Sequence, residues 1–276
     1  MVVRIVSALV GIVIGVAVIL LDNLYAYCAV LSFFGALGTF ELTRAVKCEQ
    51  HKALRWVCVC FAALVPFMLN IDLLKPYAAP LAIVYIMTLF VIQLIQHETI
   101  KIGDVALCGA AGMIIPASFS CILFVRYSSE DPLLGVSMIF YILFSAWFGD
   151  SGAYFVGTFL GKHKLCPKIS PKKTVEGLVG GIVTVGVVAL VHCLIFNFFI
   201  AKDAQMSYAV LIPVAMAASG MGVIGDLSAS IIKRQYDVKD FGNIMPGHGG
   251  VLDRFDSVIF VAPFLYLVFR FISPAM

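Results

Sequence analysis

Residues 178–200 read LVGGIVTVGVVALVHCLIFNFFI, 23 positions without one Asp, Glu, Lys or Arg. Wound as a helix rising about 1.5 Å per residue, such a run crosses the hydrocarbon core of a bilayer. Its interior holds glycine and β-branched residues freely, which bilayer helices tolerate; a barrel strand would be shorter and alternating. Eight further apolar segments lie at residues 2–21, 24–42, 54–69, 77–96, 105–125, 133–148, 208–224 and 258–271. The expected fold is therefore all-α, a polytopic integral membrane protein of about nine transmembrane helices. Residues 1–276 are expected to form a single membrane domain, with N-terminal spans over 1–148 and the chemistry in 149–276.

Composition agrees. Of 276 residues, 62% are apolar and 13% charged, and the mean hydropathy is +1.03. A soluble domain carries roughly a quarter of its residues as charges, so a water-facing globule is excluded. Disorder is excluded too, because a chain with 22 Phe collapses. The net charge of +3 is too small to suggest a nucleic-acid partner. The eight cysteines form no Cys-x-x-Cys pair and have no histidine at zinc-ligand spacing, so they are expected to pack as small hydrophobes. Arg4 followed by a long apolar run invites a signal-peptide reading, but no Ala-x-Ala site follows, and the run reads as the first membrane helix.

The basic residues set the orientation. Fifteen of the 19 fall at the N-terminus and in the connections after the second, fourth, sixth and eighth spans; Lys75, Arg126, Lys202 and Arg270 fall opposite. The positive-inside rule then makes the N-terminus cytoplasmic and the C-terminus external. Two connections on the basic side, 149–177 and 225–257, are long, polar and rich in glycine. Loops on a rigid scaffold carry most binding and catalytic groups, so the chemistry is expected there.

The second of these holds Asp226, Ser230, Lys233, Arg234, Lys239, Asp240, Gly247, His248, Gly249, Gly250, Asp253, Arg254 and Asp256. Carboxylates beside Lys and Arg suit a divalent cation, since Mg²⁺ takes a few carboxylate oxygens and completes its shell with substrate phosphates. Asp253 and Asp256 are three apart and share a face if the last helix starts there. The glycines allow backbone N–H groups to approach an anion. Each feature also has a plain reading, as an interfacial cap, a turn or a structural histidine, but the whole string crowds into the 27 residues of Ser230 to Asp256. In the first connection, Asp150, Tyr154, Gly157 and Gly161 step by 4, 3 and 4, which places them on one helical face. His163 follows Gly161-Lys162 where a P-loop needs Ser or Thr. The cluster from Lys162 to Lys173 reads equally as an orientation signal or as a patch for anionic lipid headgroups.

The string Ser230-x2-Lys233-Arg234-x4-Lys239-Asp240-x-Gly242-x2-Met245-Pro246-x-His248-Gly249-Gly250-Val251-x-Asp253-Arg254-Phe255-Asp256 closely resembles the signature of the phosphatidate cytidylyltransferase family, also called CDP-diacylglycerol synthases. Asp150-x2-Ala153-Tyr154 and Ser170-Pro171-Lys172-Lys173-Thr174-x-Glu176-Gly177 are similar to the same family. The resemblance implies transfer of a cytidylyl group from CTP to phosphatidate with release of pyrophosphate, in phospholipid synthesis. On that basis Asp226 and Asp253 are expected to hold Mg²⁺, with Asp256 and Asp150 as lesser ligands, and a second, monovalent cation is left open. Lys172, Lys173, Lys233, Arg234, Lys239 and Arg254 are expected on the phosphates of CTP and phosphatidate, Ser230 on phosphate or metal, and His248, Gly249 and Gly250 along the nucleotide. The resemblance further implies a homodimer, in a bacterial inner membrane or, in a eukaryote, that of the endoplasmic reticulum. A CTP-dependent polyprenol kinase, a CDP-archaeol synthase and, from another class, a secondary transporter are the alternatives.

Overall fold

The computed structural model describes residues 15–201, 204–243 and 249–275, and these divide into two compact units. The first comprises residues up to 120 together with 235–255; the second comprises 121–234 together with 256–276. Helices run over Leu24–Ala45 (α1), Lys52–Asn70 (α2), Lys75–Ile95 (α3), Ile102–Arg126 (α4), Pro132–Leu160 (α5), Val175–Ile195 (α6), Tyr208–Gln235 (α7), Leu252–Phe255 (α8) and Val258–Phe269 (α9). Strands Lys164–Cys166 (β1) and Ser170–Thr174 (β2) form an antiparallel ribbon between α5 and α6.

Seven helices among the described residues, α1 to α7, are long and apolar enough to cross a membrane, which makes this a multi-pass membrane protein. Of the expected first span, residues 15–21 are helical and 1–14 lie outside the described residues. The expected last span corresponds to α9, whose 12 residues extend about 18 Å, short of a full bilayer core. Two expected spans are longer than their apolar stretches. α5 continues through Asp150 to Leu160, and α7 continues through Asp226 to Gln235, so the first part of each expected loop is helix. Hydropathy falls there because polar residues enter a helix face, while nothing in the backbone stops the helix.

Local sequence explains several helix starts. The Asn23 side chain accepts from the amides of Tyr25 and Ala26 at 3.0 and 3.1 Å. Asp131 caps α5 by accepting from Leu133 at 2.8 Å, with Pro132 in the first turn, and Thr174 caps α6 by accepting from Gly177 at 3.1 Å. Such caps each contribute about 1 kcal/mol.

In the first unit α1 crosses α4 at Gly35, where an added Cβ would lie 2.9 Å from that of Pro116. Phe61 stacks on Tyr85 with ring centroids 4.0 Å apart, and Phe255 packs against Phe34 and Phe119, anchoring α8 to α1 and α4. In the second unit α5 and α6 approach backbone to backbone: a Cβ on Gly181 would lie 2.7 Å from the Gly149 carbonyl oxygen, and one on Gly177 equally close to that of Ala153. Small residues drive such contacts in lipid, where apolar burial against tails gives little. All eight cysteines are free and six are buried, in line with a packing role.

Candidate active site

In the second unit four separate elements contribute to one polar cluster. Asp150 comes from α5, Lys173 from β2, Asp226 from α7, and Asp256 with Ser257 from the turn before α9. The Lys173 ammonium pairs with Asp226. Its nitrogen is buried and makes no further hydrogen bond among the described residues, so its other donors remain available. Ser257, 1% exposed, donates its hydroxyl to Asp150 Oδ2 at 2.9 Å, and its amide to Asp256 Oδ1 at 2.8 Å.

Two carboxylates follow glycines at helix crossings, which is how the sequence brings them together. A Cβ on Gly225 would lie 2.5 Å from the Asp256 carbonyl oxygen, so α7 touches the turn directly and delivers Asp226 beside Asp256. A Cβ on Gly149 would lie 2.9 Å from Ser219 Oγ, so α5 meets α7 closely just before Asp150. Burial, and then the charge of Asp226, push the Asp256 carboxyl up to about 7, against the pull of Lys233; Asp150 adds to the repulsion. Carboxylates that oppose one another's ionisation need positive charge, and Lys173 supplies one unit of it.

The remaining residues singled out in this unit are placed by α7 and the ribbon. Ser230 lies one turn beyond Asp226 and Lys233 nearly two turns beyond it, on the same face. Arg234 donates through Nε to the Ile169 carbonyl at 3.4 Å, tying the end of α7 to the ribbon turn. Lys172 is exposed, whereas Lys173 beside it is half-buried. Glu176 closes the ribbon, accepting from the amides of Lys162 and His163 and from His163 Nδ1 at 2.6 Å. Gly157 and Gly161 both face Thr174, as expected of one helical face, whereas Tyr154 is exposed.

Asp253 belongs to the first unit. The shared helical face expected for Asp253 and Asp256 is not formed, because α8 ends at Phe255 and a turn follows. Asp253 Oδ2 instead accepts from the amides of Phe241 and Gly250 at 2.9 and 3.1 Å. Gly249 adopts φ +86°, a left-handed conformation that favours glycine, and a Cβ there would be 3.5 Å from Asp253 Oδ2. Gly250 is required for a reason sequence reading missed: a Cβ would lie 2.6 Å from Glu41 Oε2. Glu41, on α1 and 1% exposed, accepts from the amides of Val251 and Leu252 at 3.0 and 2.8 Å. Lys239 and Arg254 are exposed on either side of this loop. Gly247 and His248 lie outside the described residues.

Among the described residues no three His, Cys, Asp or Glu side chains converge tightly enough to enclose a metal ion by themselves. The donor set Asp150, Asp226 and Asp256 nonetheless fits Mg²⁺, which commonly takes one or two carboxylates and draws its remaining ligands from water and substrate phosphates.

The model of the Cytidylyltransferase family matches residues 2–272. A Bacillus subtilis protein named phosphatidate cytidylyltransferase is 42% identical over 193 residues, covering 70% of this chain and 68% of its own length. Proteins of the same name from Haemophilus influenzae and Staphylococcus saprophyticus are 38% and 35% identical, over 54% and 73% of this chain and 51% and 83% of their own lengths.

Proposed function

This chain belongs to the Cytidylyltransferase family, and we propose that within it the chain transfers the cytidylyl group of CTP to phosphatidate, giving CDP-diacylglycerol and pyrophosphate. The observation that carries this reading is the convergence of Asp150, Asp226, Asp256 and Lys173 from four elements of the second unit. The substrate class is that of the named relatives.

In this reaction a phosphate oxygen of phosphatidate attacks the α-phosphorus of CTP. The new P–O bond forms as the bond to the bridging oxygen of the β-phosphate breaks, and pyrophosphate leaves with that electron pair. Two polyanions must meet, so catalysis consists of charge neutralisation and positioning, and no covalent intermediate is required. Asp226, Asp150 and Asp256 would hold Mg²⁺, which would supply charge neutralisation on the phosphates. Lys173 holds Asp226 in place and directs its remaining N–H donors to a phosphate oxygen. Ser257 orients Asp150. Lys233, Lys172, Arg234 and Ser230 add phosphate contacts along α7 and the ribbon. Lys239 and Arg254 are assigned to phosphate by the signature string to which they belong. The phosphate of phosphatidate is already ionised at neutral pH, so no general base is assigned.

The same reading puts the N-terminus and both polar connections on the cytoplasmic side of a bacterial inner membrane, supported by the 15-to-4 division of basic residues. Acyl chains then stay in the bilayer while the headgroup meets CTP at the interface. A homodimer is proposed with it. The test is pyrophosphate release by the purified protein: it should require CTP, phosphatidate and Mg²⁺ together, and Asp226→Asn should reduce it at least about a hundredfold. Release without phosphatidate, or from an unimpaired Asp226→Asn variant, would overturn the reading.

A further inference from the structure

We propose that Glu41 is a positioning residue for the nucleotide, its carboxylate fixing the loop that carries Lys239 and Arg254. This rests on the reading of the chain as a CTP-using enzyme and concerns the first unit alone. Glu41 lies on a membrane-spanning helix and is 1% exposed. Burying a carboxylate there is costly unless every lone pair finds a donor. Its donors come from more than 200 positions away: Val251 N–H meets Oε1 at 3.0 Å and Leu252 N–H meets Oε2 at 2.8 Å. Two glycines are shaped around the same carboxylate. A Cβ on Gly250 would lie 2.6 Å from Oε2, and one on Gly242 would overlap Oε1.

From within the loop, Asp253 Oδ2 takes the amides of Phe241 and Gly250. Phe241 and the stretch from Gly250 to Leu252 are thus held by two carboxylates through four backbone amides, three of them consecutive. Tyr236 fixes the start of this stretch by donating its hydroxyl to Asp104 Oδ1 at 2.7 Å. An apolar residue at position 41 would serve packing at lower cost. The buried charge is explained when the placement of the backbone next to Lys239 and next to Arg254 matters to the phosphates those side chains bind. Glutamine keeps the shape of Glu41 but turns an NH₂ toward one of the two N–H groups, so it releases half of the grip.

The experiment compares wild type, Glu41→Gln and Gly242→Ala as purified full-length protein in lipid nanodiscs, with CTP and phosphatidate varied separately. Both variants should raise KM for CTP at least about tenfold, the scale of a lost charge-assisted hydrogen bond, and leave KM for phosphatidate within about twofold. A purely structural role for Glu41 would lower the active fraction, reducing Vmax with both KM values unchanged, and that result overturns the proposal. If Glu41→Gln does not fold, the same criterion applies to Gly242→Ala. Amide hydrogen exchange over Gly250 to Leu252 separates the two readings. Faster exchange in the variants upholds the grip even where wild type fails to turn over CTP, which would defeat the proposed function; unchanged exchange overturns the proposal even where wild type is active.

Discussion

Lys173 on a two-stranded ribbon pairs with Asp226 in the C-terminal half of a 28-residue helix, and the nitrogen that makes the pair is buried. A partly buried pair of this kind contributes little net stability, and removing one partner leaves an uncompensated charge. Lys173→Met should therefore both expose Asp226 to its neighbouring carboxylates and remove a phosphate donor. We expect turnover to fall by about a hundredfold or more in steady-state assays of CDP-diacylglycerol formation. Lys172→Met, at the exposed neighbour, should cost less than about tenfold.

Gly225 and Gly220 lie on the same helix but in different surroundings. A Cβ on Gly225 would lie 2.5 Å from the Asp256 carbonyl oxygen, and one on Gly220 meets nothing within 4 Å. Gly225→Ala must push α7 from the Asp256 turn and should abolish most turnover, because displacements of about 1 Å in a catalytic group cost on the order of a hundredfold. Gly220→Ala should leave turnover near normal and stabilise the helix slightly, by about 0.5–1 kcal/mol. Paired kinetic and thermal measurements on the two variants check both statements.

Asp256 gives a pH dependence of definite sign. Its carboxyl is raised from 3.8 to about 7 by burial and by Asp226, so the folded state holds a proton that the unfolded chain gives up near pH 4. The stability linked to this group is full below about pH 4 and is lost as pH rises through about 7. In Mg²⁺-free buffer at pH 8, Asp256→Asn should therefore melt at least about 2 °C above wild type, and at pH 5 the gap should shrink. Mg²⁺ affinity should move the opposite way, tightening from pH 6 to pH 8 in wild type as Asp256 ionises, with that gain reduced in the variant. Calorimetric melts and Mg²⁺ titrations at three pH values read both effects.

Ser257 tests the orientation of Asp150. Ser257→Ala removes the 2.9 Å hydrogen bond to Asp150 Oδ2 but keeps the amide that binds Asp256. Turnover should drop by about tenfold, recovering in part at raised Mg²⁺ as the ion restores the carboxylate's position; Ser257→Thr, which keeps the hydroxyl, should retain more activity.

How far the sequence revealed this molecule depended on the range of each interaction. Apolar runs such as 178–200 gave the spans directly, because lipid imposes its constraint residue by residue. Asp150, Lys173, Asp226 and Asp256 were legible as chemistry because each sits in a polar string that a membrane span would not tolerate. The helical extensions to Leu160 and Gln235 were not, since hydropathy falls at an active site just as it does at a helix end. Asp253 and Asp256 looked like one helix face, yet a turn after Phe255 separates them, a break that no Pro or Gly announces. Glu41 escaped notice altogether. A lone acid inside the apolar stretch 24–42 was the available signal, and its partners Val251 and Leu252 become visible only in three dimensions.

Cytidylyl transfer and phosphoryl transfer from CTP differ in the fate of each labelled phosphate. Purified protein is given phosphatidate vesicles and Mg²⁺ with CTP carrying ³²P at either the α or the γ position, and the lipid is extracted. The proposed reaction puts the α label in the lipid fraction and the γ label in pyrophosphate, in equal amounts. The γ label in the lipid, with CDP left behind, would identify a CTP-dependent kinase and rule out cytidylyl transfer.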